Sequence, residues 1–71
     1  MARTSVQQKF GKKLRTLRDE AKLTQEKLGE LTGLDRTYIS DIERGVRNPS
    51  LKSLQKLAKA FNVSISELTT F

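Results

Sequence analysis

The chain contains no cysteine and no histidine in its 71 residues. Without cysteine there is neither a disulfide nor a thiolate metal site. Without histidine the commonest metal ligand and the usual general base are missing. Catalysis would have to be assembled from Asp, Glu, Lys, Ser and Tyr. No nucleophile–base pair or metal-ligand cluster is visible in the sequence, so the expectation is a protein that is not an enzyme and needs no cofactor. No apolar run approaches membrane-spanning length and no signal-peptide pattern opens the chain, which points to the cytoplasm and away from a membrane. Strand-like alternation, internal repeats and low-complexity segments are also lacking. The length bounds one small domain, 1–71, whose limited core would gain from dimerisation or economical helix packing.

What the chain does have is positive charge. Fourteen Lys and Arg against eight acids give a formal net charge of +6 and a pI near 10.1. So much charge on a small body favours a polyanionic partner, the plainer alternative being solubility alone.

Apolar spacing predicts helices throughout. Residues 1–4 read as a loose tail, and Ser5 with Gln8 resembles a capping box. Val6, Phe10, Leu14, Leu17 and Ala21 then mark one face of a first helix, with Lys9, Lys12, Lys13 and Arg15 opposite. Thr24 is a good N-cap for a second helix, with Glu26 in the first turn, Leu28 and Leu31 pointing inward, and Gly33 ending it in the left-handed conformation. Asp35 caps a third, with Ile39 and Ile42 inside and Gly45 at its end. Pro49 blocks continuation, and Ser50 caps a fourth helix carrying Leu51, Leu54, Leu57, Ala58 and Phe61. Asn62 suits a left-handed C-terminal position, and Ser64 with Glu67 forms a capping box opening a short fifth helix with Ile65 and Leu68.

The segment of about 24–45, TQEKLGELTGLDRTYISDIERG, therefore reads as two short helices joined by a Gly-containing turn. A helix braced in this way, with polar and basic groups at its exposed start, can place side chains in the DNA major groove. Arg36, Thr37, Tyr38 and Ser40 are the candidate base readers. Arg36 comes first because arginine can bond bidentately to guanine, a discrimination of about 1–3 kcal/mol, and Thr37 offers both a hydroxyl and a methyl. For Tyr38 the alternative is a ring packed on the domain with its hydroxyl towards a phosphate, and for Ser40 a solvated helix position. Asp41, also on that side, would repel phosphate but could accept from cytosine N4.

These residues resemble the phage-repressor-like (Cro/cI-type) helix-turn-helix family over nearly the whole chain. Size and the string RTYIS-DIERG-VRNPS are most similar to the controller proteins of restriction–modification systems. The resemblance implies an all-α, five-helix repressor-like domain, with helices 2 and 3 forming the helix-turn-helix. It also implies a transcriptional regulator that binds double-stranded DNA sequence-specifically, as a homodimer on a palindromic operator. Gln25, at the positive start of helix 2, would hold a phosphate. Arg47 and Asn48 would contact backbone from the loop after helix 3, joined by Ser50, Lys52 and Arg44. Arg18 and Glu43 would pair structurally, tying helix 1 to helix 3. Glu26 and Glu30, four apart on one helical face, match positions at which some phage repressors touch RNA polymerase. Val63, Ile65, Leu68 and Phe71 would form a dimer interface on a helix of about 64–71. Asp35 departs from the Ser or Thr often seen at this cap, which places an acid close to phosphate. A second reading, from another class, is a protein-interaction module of antitoxin-like or coactivator-like type using the same helical domain.

Overall fold

Thr24, Asp35, Ser50 and Ser64 each sit in extended backbone, and each side chain accepts from an amide two or three residues on, satisfying donors that a helix start leaves orphaned. The helices they open in the computed structural model are α2 (Gln25–Thr32), α3 (Arg36–Glu43), α4 (Leu51–Phe61) and α5 (Ile65–Leu68), preceded by α1 (Ser5–Glu20). The structure describes residues 5–71, the Ser5 side chain excepted. The tail expected over 1–4 and the Ser5 half of the expected capping box lie outside the described residues. Among the described residues no strand forms.

The helix ends are as specific as the starts. Gly33 and Asn62 take left-handed backbone, as expected, and so does Gly45. Lys22, also left-handed, does so unannounced by its residue type. Around Lys22, Gly45 and Asn62 the amide pairs follow one pattern, a bond five residues back overlapping one three residues back: Leu23 to Arg18 with Lys22 to Asp19, Val46 to Asp41 with Gly45 to Ile42, and Val63 to Ala58 with Asn62 to Lys59. This Schellman pattern satisfies the last carbonyls of the helix.

α1 packs on α3, α2 on α3 and α4, and α4 on α5. Their shared core is Phe10, Leu14, Leu28, Ile39, Ile42, Leu57, Ala58 and Leu68. Each large side chain fully removed from water here contributes about 1.5–3 kcal/mol. Two glycines set the spacing. A Cβ on Gly11 would lie 2.5 Å from the carbonyl oxygen of Ile42 and 2.6 Å from that of Glu43, so α1 and α3 approach to backbone contact. A Cβ on Gly29 would lie 2.7 Å from the Leu34 carbonyl, so the turn between α2 and α3 closes over Gly29. The Thr32 hydroxyl fixes the same turn, donating to Leu28 O and accepting from Leu34 N–H.

Several apolar positions differ from expectation. Val6, Leu31 and Leu51 are 62%, 56% and 79% exposed, and Ala21 is exposed beyond the end of α1. On α2 the inward positions go to Leu28, Gly29 and Thr32, which turns Leu31 outward. On α4 the buried face is Ser53, Leu57 and Ala58, which leaves Leu51 at the first position outside it. The opposite correction applies to Leu68. It is fully buried in its own chain, because the short α5 folds back on α4 and inserts it into the core. It therefore offers no surface to a second copy. Of the other expected interface residues, Val63 is half-buried against the core, while Ile65 and Phe71 are exposed.

Candidate nucleic-acid interface

The starts of α2 and α3 converge on an open cleft of about 560 Å³ lined by Arg18, Thr24, Gln25, Glu26, Arg36, Thr37, Ser40, Asp41 and Arg44. Three of the four expected base readers are thus gathered with the expected anchor Gln25. Arg36 and Thr37 are exposed, as the first two residues of α3. The Asp35 carboxylate fixes this start by accepting from the Thr37 N–H at 2.7 Å.

Arg18, which lines the cleft, is held by an ion pair to Glu43. Arg18 Nε donates to Glu43 Oε2 at 2.7 Å and Nη2 donates to Oε1 at 3.0 Å, a bidentate fork between α1 and α3. The third arm, Nη1, donates to the Leu23 carbonyl at 2.8 Å. The two side chains are only 12% and 4% exposed. The hydrogen bond to Glu43 raises the Arg18 pKa above its ordinary value against the opposing effect of burial. Gln25 Nε2 also donates to Glu43 Oε1, at 3.1 Å. This link has no sequence signature. It orients the amide that was expected to face a phosphate.

Tyr38 lies away from the cleft. Its ring packs half-buried against the core, its hydroxyl donates to Ser53 Oγ at 3.0 Å, and it accepts from the Ser50 N–H at 3.2 Å. Burial pushes the phenol pKa up, but the bonds with Ser53 and Ser50 and the nearby Arg47 outweigh it, and the net shift is downward. The Arg47 guanidinium stands 5.3 Å from the Tyr38 ring centroid. This is the packed alternative for Tyr38, with a hydrogen-bonded hydroxyl that ties α3 to the start of α4. Ser50 is engaged there too, its Oγ accepting from the Ser53 N–H.

Arg44 and Arg47 remain beside the cleft, and both reach Asp41: Arg44 pairs with Oδ1, and Arg47 Nη2 lies 3.6 Å from Oδ2. The i, i+3 spacing of Asp41 and Arg44 was a legible signal for this pairing. Asn48 lies elsewhere, on an apolar groove with Val6, Phe10, Leu54 and Phe71, and Lys52 is exposed on α4 outside the cleft. Glu26 and Glu30 share a shallow depression with Asp35 and Arg36 along the α2–α3 turn, and Glu26 also lines the cleft. Among the described residues no group of acids could hold a metal, and no helix is long and apolar enough to cross a membrane.

Two short helices locked across a tight turn, with the second presenting its polar start, are the arrangement that enters a major groove. The family model described as "Helix-turn-helix" matches residues 14–68. The chain belongs to the helix-turn-helix family. This is a family of DNA-binding transcriptional regulators. The chain is 48% identical over 63 residues to Control protein C.BamHI of Bacillus amyloliquefaciens, covering 87% of this chain and 78% of that protein. It is 42% identical to Control protein C.SmaI of Serratia marcescens, covering 92% and 77%. In structure it is similar to the restriction-modification controller protein C.AhdI of Aeromonas hydrophila, with a TM-score of 0.88, 46% identity, and coverage of 92% of this chain and 98% of the other.

Proposed function

We propose that the chain is a controller-type transcriptional regulator that binds a palindromic operator as a homodimer, in the cytoplasm, and governs a restriction–modification promoter, including its own. The observation that carries this reading is the cleft that assembles Gln25, Arg36, Thr37, Ser40 and Arg44 at the open ends of α2 and α3. Arg36 and Thr37 read bases, Ser40 stands behind them, Gln25 anchors a phosphate, and Arg44 and Arg47 contact backbone. Ile65 and Phe71, with Val6 alongside Phe71, form the self-association surface. A two-fold pair would set two copies of α3 about one DNA turn apart. Glu26 and Glu30 share the shallow depression along the α2–α3 turn, with Glu26 also lining the cleft, and are the polymerase contact of this reading.

Selection of bound duplexes from a random pool tests it. The expected product is a two-fold symmetric site with two half-sites, bound with a steep salt dependence. A pool that shows no enrichment would overturn the reading.

A further inference from the structure

Arg36 pairs with no acid among the described residues, whereas Arg44 and Arg47 share one. That acid, Asp41, is 18% exposed at its side chain, lines the cleft with Arg36 and Thr37, and spends one oxygen on each arginine. The geometry points to Asp41 as a positioning residue that sets specificity: its carboxylate tethers Arg44 and Arg47, so a duplex must compete for both, and only one that offers the carboxylate an amino donor recovers the loss. This inference rests on the DNA-binding reading above.

The reasoning follows from where the charge stays. When phosphates draw the arginines away, Asp41 remains on the face, uncompensated and close to other phosphates. Binding to arbitrary sequence depends almost entirely on phosphate contacts and bears that penalty in full. A cytosine N4 amino group in the groove would satisfy the carboxylate and lift the penalty at one position. Arg47 also stacks on Tyr38, so losing Asp41 frees its charge without releasing its placement. Arg44 and Arg47 are 64% and 54% exposed, which makes each tether weak, a factor of about 1.5–5.

The test compares the unaltered protein with Asp41→Asn on two probes of equal length: a duplex selected from a random pool by the unaltered protein, and a random-sequence duplex. In Asp41→Asn, affinity for the random duplex should rise about three- to tenfold, with the salt slope steeper by roughly one to two units. The selected-to-random ratio should fall at least about threefold. In a background carrying Arg44→Gln and Arg47→Gln, adding Asp41→Asn should raise random-duplex affinity by a clearly smaller factor than in the unaltered background, since only the repulsion between the carboxylate and phosphate is then removed. Thermal melting reports folding, and Asp41→Ser supplies the same readout should the Asn variant melt within the assay range. Equal gains on both probes, no gain, or a gain equally large without the two arginines would each overturn the inference alone. Failure of the unaltered protein to select any duplex would overturn the DNA-binding reading itself, and this inference with it.

Discussion

Replacing Arg18 with methionine tests the ion pair that holds it beside the cleft. Met keeps an unbranched apolar stem but deletes the fork to Glu43 and the bond to the Leu23 carbonyl. The Glu43 carboxylate, 4% exposed, is then left with the single Gln25 donor. Stranding a buried carboxylate costs about 3–5 kcal/mol; with Arg18 itself 12% exposed and Gln25 retained, about 2–4 kcal/mol is a fair expectation. A domain of this size has only about 4–10 kcal/mol in total. The melting temperature should therefore fall by roughly 10–25 °C. Because the Arg18 pKa is raised, the stabilising protonated form persists below its ordinary value and is lost only as pH climbs past the higher folded one. The deficit should accordingly hold from about pH 6 to 9. The assay is thermal and urea unfolding followed by circular dichroism at fixed protein concentration, on Arg18→Met, Glu43→Gln and the double variant. The double variant should be at least about 1 kcal/mol more stable than the summed single effects predict, since no uncompensated charge remains. Strict additivity, or an Arg18→Met cost under about 0.5 kcal/mol, would refute the buried-pair argument.

Gly11→Ala should destabilise by about 1–3 kcal/mol in the same unfolding assay, because its Cβ would meet two backbone carbonyls rather than a yielding side chain. Leu68→Ala should cost about 2–5 kcal/mol of folding stability, whereas Ile65→Asp should leave melting nearly unchanged and shift sedimentation towards the monomer. For Glu67, the hydrogen bond from the Ser64 amide leads the causes that hold its pKa below the ordinary 4.5. Its contribution is therefore present above that value and lost as pH falls through the lower folded one. The melting difference between the unaltered protein and Glu67→Gln should be visible near neutrality and vanish by about pH 2.

What the sequence makes legible is what is decided locally. A cap needs only a short polar side chain and the amides just after it, so Thr24, Asp35, Ser50 and Ser64 declare themselves, as do Gly33, Gly45 and Asn62 at the other ends. Lys22 does not, because nothing in a lysine signals left-handed backbone. Leu14, Leu28, Ile39, Ile42 and Leu57 follow from helical period alone. Period does not say how wide each buried stripe is, which is why Leu31 and Leu51 look internal and stand in solvent. Leu68 errs the other way, since its burial depends on α5 folding back. In the site, the Arg18–Glu43 pair is legible only through the family resemblance, because 25 residues separate the partners. The Gln25–Glu43 bond and the Tyr38–Ser50–Ser53 cluster have no sequence signal, and they arise where separate elements meet.

The division between reading and anchoring is tested most directly by binding of Arg36→Ala to a selected duplex and to random duplex at one salt concentration. The account predicts a loss of about 1–3 kcal/mol, five- to 150-fold, on the selected duplex and little change on the random one, with preference relaxed at one base pair per half-site. Equal losses on both duplexes would mean that Arg36 anchors rather than reads, and would contradict the central claim.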